Sequence, residues 1–352
     1  MVDYIIVGAG LAGICFSEWL EQHDKTFVVF DDSSQTSSHV AGGMYNPVIL
    51  KRFTPVWKSE EQLTLLNTFY SAIEAKLHVK IDQKIKTLRR FTSIEEQNMW
   101  FEAADKPGLS PFINTKLHKN TTNAIHADFG FGEVFHTGRV HTKLLQEQYI
   151  AYLKSKKKFA ATPFNYDALL IENELVKYKD VTAKKIVFAE GYGLKQNPFF
   201  NYLPLNGTKG ELLIIHCPEL QIEYVLKSSI FLIPLEDDHY LVGATYKWKD
   251  KTNTPTEEAK QELLEKLESF LKVPYRVVAH KAGIRPTVAD RRPLVGQHPK
   301  YKNMYVLNGF GSRGVMIGPY VSKQLFDLVE YQIPLKDSEI DIQRYHKKYT
   351  QS

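Results

Sequence analysis

Apolar residues along this chain fall into two rhythms. The first run, Tyr4-Ile5-Ile6-Val7, is short and continuous, as a strand buried on both faces reads. A glycine-rich turn follows, then a helical stretch, then a second continuous run, Phe27-Val28-Val29-Phe30, closed by Asp31. Further on, Leu63, Leu66, Tyr70, Ile73 and Leu77 recur at spacings of three and four behind Glu60 and Glu61, which predicts a helix from Ser59 with a stripe facing the core. Residues 142–153 predict a second amphipathic helix, and Ile186-Val187-Phe188-Ala189 another buried strand. The segment 91–135 is aromatic-rich and mixed, with glycines marking turns.

Between 207 and 247 the pattern is rich in strands, at 211–216, 231–234 and 240–245. A helix follows, for which the sequence predicts Thr254 as N-cap, Pro255 in the first helical position and Glu257 completing a capping box. Its apolar face is Leu263, Leu264, Leu267, Phe270 and Leu271. A last strand at 304–307 leads into a glycine loop, and helical spacing begins near Pro319.

Strand, turn, helix and strand at the front, with later returns of the same character, predict an α/β unit that is not contiguous; strands followed by a helix predict a separate α+β unit. The expected fold is a discontinuous Rossmann-like dinucleotide-binding domain with a parallel sheet, from 1–47, 138–205 and 283–352. A second, substrate domain with a mainly antiparallel sheet comes from 48–137 and 206–282. A chain of 352 residues with 43% apolar content can bury both cores.

Composition narrows the class. Charged residues at 24% exclude long disorder. The net charge of +5 comes partly from clusters such as Lys156-Lys157-Lys158, Lys184-Lys185 and Arg291-Arg292, which read as solvated faces and not as a nucleic-acid patch. Cys15 and Cys217 form no CxxC pair, and His118, His126, His136 and His141 lack ligand spacing, so no metal is expected. The first strand starts at residue 3 or 4, and no apolar run approaches 18 residues. The expectation is a cytoplasmic protein without a signal peptide or membrane span.

The chemistry begins at Gly8-Ala9-Gly10-Leu11-Ala12-Gly13. Gly8 makes the tight turn, Gly10 lets backbone approach a pyrophosphate, and Gly13 lets helix pack on strand. The helix N-terminus supplies donors for that pyrophosphate. Asp31, eighteen residues past the last glycine, is placed to accept hydrogen bonds from ribose hydroxyls, with Asp32 beside it. The fingerprint alone leaves FAD and NAD open.

Gly42-Gly43-Met44-Tyr45 suggests backbone approaching something flat, although a tight turn explains the glycines equally well. Ala189-Glu190-Gly191 suggests a second approach to the cofactor. Gly309, Gly311, Ser312, Arg313, Gly314 and Val315 form a glycine-rich turn opening onto a helix, again a site built from backbone N–H groups.

Taken in order, the fingerprint, the 41–44 turn, Gly191, the strand Gly243-Ala244-Thr245-Tyr246, the segment Gly283-Ile284-Arg285-Pro286 and the 309–314 loop resemble the D-amino acid oxidase (DAO) family of FAD-dependent oxidoreductases. The similarity extends over nearly the whole chain and is seen particularly with glycine oxidases and the FAD domain of the bifunctional tRNA methylaminomethyl-thiouridine enzyme. The resemblance implies FAD as the cofactor. It implies that Arg285 clamps a substrate carboxylate and that Arg313 is a second arginine beside the flavin, roles that suit the planar guanidinium fork. By sequence alone, either arginine reads as a structural ion pair.

Two departures stand out. Phe231 falls where glycine oxidases carry a tyrosine that helps bind the carboxylate. Gly283 falls where a relative holds its flavin through cysteine, so non-covalent FAD is expected. Met44, Tyr45 and Tyr246 are candidates for pocket lining.

The activity implied is oxidation of the C–N bond of a carboxylate-bearing amine or amino acid, by hydride transfer to flavin N5 and hydrolysis of the imine. Three alternatives remain: removal of a carboxymethyl group from a modified tRNA uridine, oxidation of a 2-hydroxy acid, and a non-catalytic flavin-bound protein. The motifs are silent on the electron acceptor and the oligomeric state.

Overall fold

In the computed structural model, which describes residues 1–172 and 174–351, the two continuous apolar runs lie side by side. Val2–Val7 pairs in parallel with Phe27–Asp31, from Tyr4 opposite Phe27 to Val7 opposite Phe30. The helix Leu11–Gln22 makes the crossover. On the other side of Val2–Val7 lies Val181–Phe188, also parallel. Phe159–Ala161 and Met304–Asn308 extend the parallel set, and Leu169–Glu172, Leu175–Tyr178 and Leu294–Gln297 pair antiparallel at its margins, for eight strands. The inner strands are buried on both faces, which is why they read as unbroken apolar runs: Tyr4, Ile5, Ile6, Ile186, Val187 and Phe188 are all fully buried.

A seven-stranded sheet carries the second core. Its order is Arg276–Arg285, Thr208–His216, His239–Gly243, Phe231–Pro234, Val225–Lys227, Thr87–Arg90 and Phe131–Val134, antiparallel throughout except between Val225–Lys227 and Thr87–Arg90. One face packs on the helix Glu257–Glu268 through Leu213, Ile215, Leu263 and Leu267. The other carries Leu212, Ile233 and Leu241, with Val40, Met44 and Phe231 packed against them. The α/β plus α+β expectation describes this architecture. Among the described residues no helix is long and apolar enough to cross a membrane.

The helix Ser59–Leu77 forms as its spacing predicts, burying Leu63, Leu66, Tyr70 and Ile73, with Leu77 partly covered. Thr142–Ser155 likewise forms. Two expectations shift and one element goes unannounced. The helix predicted from Thr254 starts two residues later, with Thr256 as N-cap and its Oγ1 accepting from the Ala259 N–H at 3.3 Å. Buried Glu211 accepts from the N–H and hydroxyl of Thr256 at 2.8 and 2.9 Å, while buried Lys209 takes the Thr254 carbonyl at 2.5 Å. Those tertiary bonds outweigh the local capping box.

The last helix, Gly314–Tyr331, starts five residues before Pro319 and holds that proline in its interior. Proline has no N–H for the carbonyl four residues back. That carbonyl, on Val315, instead accepts the Tyr70 hydroxyl at 2.8 Å. Within the mixed segment 91–135 lies a helix that the pattern did not announce, Ile94–Ala104, capped by Ser93 Oγ accepting from the Glu96 N–H at 3.2 Å. Trp100, Ala103 and Ala104 are its buried apolar residues, too few to set a period.

Candidate functional site

The chain leaves Val2–Val7 to one side for Phe27–Asp31 and returns on the other with Val181–Phe188, so a crevice opens at the carboxyl end of Val2–Val7. A cleft of about 370 Å³ occupies it. Gly8 turns with φ of +103°, the left-handed region that favours glycine, and a Cβ there would lie 2.5 Å from the Ala189 carbonyl oxygen. A Cβ on Gly13 would lie 1.9 Å from the Gly8 carbonyl oxygen, so helix and turn touch only because that side chain is missing. Gly10 is the N-cap, and the N–H groups of the first helical turn have no intrahelical partners. One of them, on Leu11, donates to Ser38 Oγ at 3.3 Å.

All of the expected cofactor residues line this cleft except Gly13, Gly309 and Arg313. Gly13 supports the turn from beneath. Gly309, with φ of +79°, has Val288 and Leu294 against the position of its absent side chain. Asp31 has a further duty besides the one read from its spacing: its Oδ2 accepts from the Ala9 N–H and its Oδ1 from the Ser33 N–H, both at 2.7 Å. The carboxylate thus ties the glycine turn to the end of its own strand, with lone pairs left over for a ribose. Asp32 is exposed, and its Oδ1 accepts from the Ser34 N–H at 2.9 Å.

The cleft fits a dinucleotide on two structural grounds. It runs from a helix N-terminus and an acid-ended strand at Asp31 to the glycine turn that opens the last helix. A Cβ on either Gly191 or Gly311 would meet nothing within 4 Å, so at both the cleft keeps open space against bare backbone.

Arg285 closes the long strand Arg276–Arg285, where Thr208 is its partner and Gly210 pairs with Gly283. Its guanidinium lies directly over Gly210, where a Cβ would fall 2.0 Å from Nη2. Nη1 donates to the Thr245 carbonyl at 3.3 Å, and the guanidinium stands 5.1 Å from the centroid of the Tyr246 ring. Burial lowers its proton affinity, with Tyr246 opposing. Among the described residues no carboxylate forms an ion pair with it, so the structural ion-pair alternative does not describe it.

Arg313 is the N-cap residue of Gly314–Tyr331. Burial and the Arg291 cation lower its proton affinity, while Tyr246 raises it. Arg285, Tyr246 and Arg313 therefore share one neighbourhood, but only Arg285 opens on the cleft. Tyr246 is 41% exposed and stands edge-on to Trp248 at 5.5 Å. Met44 and Phe231 line the cleft, and so does Gly283, which offers no side chain for a covalent link. Tyr45 does not: it is buried, its hydroxyl donating to Asp82 at 2.9 Å and accepting from Lys84 at 2.7 Å.

Gly210, Ser38 and Glu190 enter the site without having been singled out. Gly210 carried a signal, a glycine inside an apolar strand, which marks close approach of another group. Ser38, in a polar loop, carried none.

Comparisons with known proteins agree with this geometry. Residues 3–328 match the DAO family, described as FAD dependent oxidoreductase. The glycine oxidase of Pseudomonas aeruginosa is 22% identical over 352 residues, covering 95% of this chain and 96% of that protein. The tRNA 5-methylaminomethyl-2-thiouridine biosynthesis bifunctional protein of Idiomarina loihiensis is 26% identical over 152 residues, covering 41% of this chain and 25% of that protein. Among solved structures, the glycine oxidase of Bacillus cereus superposes with a TM-score of 0.78 at 18% identity, over 97% of each chain.

Proposed function

We propose, since this chain belongs to the DAO family of FAD-dependent oxidoreductases, that it oxidises a carboxylate-bearing amine or amino acid held by Arg285. Its chemistry is FAD-dependent oxidation of an amine or amino-acid C–N bond. When bound, the flavin supplies the acceptor for the hydride that leaves the carbon beside the amine. The observation that carries the reading is Arg285 itself: a half-buried arginine in the cleft wall, its guanidinium given room by Gly210 and left without a carboxylate partner among the described residues.

The residues divide the work. Gly8, Gly10 and the N–H groups of Leu11 and Ala12 would hold the pyrophosphate, and Asp31 and Asp32 the ribose. The helix N-terminus at Gly314 and Val315 would place a positive dipole end by the isoalloxazine and favour its reduced anionic form. Arg285 fixes the carboxylate and so limits which C–H bond can point at the ring, an orientation effect. Arg313, one residue outside the cleft wall, adds positive potential. The domain division 1–47, 138–205 and 283–352 against 48–137 and 206–282 is part of this proposal; it keeps all eight strands of the mainly parallel sheet in the first unit, while the strand Arg276–Arg285 crosses its last boundary. We place the protein in the cytoplasm on its two buried, unbridged cysteines.

A second reading, a carboxymethylamino group carried on tRNA, has its own support. The Idiomarina loihiensis protein matches part of this chain. Tyr246 stands exposed beside Arg285 with exposed Trp248 edge-on to it, and Lys247, Lys249 and Lys251 lie on the same segment.

An anaerobic visible spectrum, titrated with glycine, sarcosine, D-amino acids, N-carboxymethyl amines, 2-hydroxy acids and a tRNA carrying the carboxymethylaminomethyl uridine, tests both readings. Bleaching by an amine supports the first. Bleaching only by a modified tRNA supports the second, and bleaching by hydroxy acids alone overturns C–N oxidation.

A further inference from the structure

Glu190 stands between Ala189 and Gly191 at the end of Val181–Phe188, in the wall of the cleft. One carboxyl oxygen accepts from Asn197 Nδ2 at 2.8 Å, the other from the Tyr166 hydroxyl. Both donors are neutral. Tyr166 comes from the turn Tyr166–Ala168, and Asp32, which follows Phe27–Asp31 and lines the same cleft, is an acid whose charge acts on that tyrosine. Lys195, on Glu190's own turn, directs its ammonium to the Asn201 carbonyl at 3.1 Å. No cation forms an ion pair with Glu190 among the described residues. A half-buried carboxylate that is held by neutral donors and has no cation is costly. Burial accordingly pushes Glu190 up from its ordinary 4.5 to about 7, against the pull of Asn197 and Tyr166.

We propose that Glu190 is a proton-linked contact to the adenosine half of FAD, carried in the cleft as the neutral acid when the dinucleotide is bound. The place follows from the fold. This part of the cleft wall includes Asp32, Gln35, Phe164, Tyr166 and Gln196, the compartment beside the acid-ended second strand, where a dinucleotide fold takes ribose and base. The sign follows from electrostatics. The dianionic diphosphate entering a poorly solvated space next to Glu190 disfavours its ionised form, so binding raises its proton affinity and, by linkage, protonation tightens binding. The neutral acid also donates one hydrogen bond that the carboxylate does not, which suits an acceptor on ribose or adenine.

The test follows FAD release from the holoprotein by the fluorescence of free flavin between pH 6 and 9, with the dissociation constant at each pH. Wild-type protein should hold FAD most tightly below about pH 7 and lose affinity by about tenfold per pH unit above it. Glu190→Gln, the same shape with no charge to lose, should give a flat profile and bind FAD at pH 8 at least as tightly as wild type. A separate arm needs no variant and decides the matter if Glu190→Gln fails to fold. Calorimetry at pH 8, in two buffers of different ionisation enthalpy, should show about one proton taken up when the full chain freed of FAD binds ADP, and none when it binds FMN. A flat wild-type profile, the wild-type slope in Glu190→Gln, or equal uptake with FMN overturns the proposal. None of these readouts involves substrate or turnover.

Discussion

The guanidinium of Arg285 occupies the space that a side chain at position 210 would fill, with a Cβ on Gly210 falling 2.0 Å from Nη2. Gly210 sits in Thr208–His216, hydrogen-bonded to the strand that carries the arginine. Gly210→Ala must therefore move the guanidinium. Misplacing a positioning group by about 1 Å can cost on the order of a hundredfold. We expect kcat/KM for carboxylate substrates to fall at least tenfold with FAD content unchanged, measured by steady-state kinetics and the flavin spectrum.

Gly13→Ala should act on the cofactor and not on the substrate. Its Cβ would lie 1.9 Å from the Gly8 carbonyl oxygen, which is backbone and cannot swing aside. Overpacking of this kind costs roughly 1–3 kcal/mol. The expected outcome is a chain purified with little or no FAD and with a lowered Tm, read by absorbance and thermal unfolding.

Tyr70→Phe tests the proline inside the last helix. The hydroxyl is the hydrogen-bond partner of the Val315 carbonyl, at 2.8 Å in the core. Removing it leaves a buried acceptor unsatisfied, at about 1–3 kcal/mol. Urea unfolding should show that loss, with the helix otherwise retained.

Acid should weaken the junction between the first strand and the last helix. Burial raises the proton affinity of Glu330, but hydrogen bonds from Lys25, Tyr4 and Lys185 outweigh it and hold the group down at about 2, below its ordinary 4.5. A depressed carboxylate contributes stability that is present above 4.5 and is lost as pH falls toward 2. Allowing for solvent screening, the contribution is on the order of 1–2 kcal/mol. Glu330→Gln should lower stability at pH 7 by that amount and converge with wild type near pH 2, as followed by denaturant midpoints.

The sequence made the cofactor half legible because its signals are local. A glycine turn between a buried strand and a helix declares itself within thirty residues, and the acid at Asp31 lies on the same stretch. The helix Ser59–Leu77 was equally plain, since it shows one stripe to one core. What stayed hidden depends on contacts between distant residues. Thr256, not Thr254, caps its helix because Glu211 and Lys209 reach it from another strand. The last helix runs through Pro319 with its Val315 carbonyl bonded to Tyr70, 245 residues away in the chain. Gly210 matters because of Arg285, and Glu190 because of Tyr166 and Asn197, and neither partnership can be read from spacing. Tyr45, by contrast, looked like pocket lining from its neighbours Gly43 and Met44, but in a strand adjacent residues point to opposite faces, and it lies in the core.

The most direct test of the carboxylate clamp compares, by anaerobic stopped flow, flavin reduction by the best amino-acid substrate and by the amine that lacks its carboxylate. Wild type should strongly prefer the acid. In Arg285→Ala that preference should collapse, with the acid losing roughly 2–5 kcal/mol of binding while the simple amine is unaffected. An Arg285→Ala variant that still prefers the acid as wild type does would contradict the assignment of the carboxylate to Arg285.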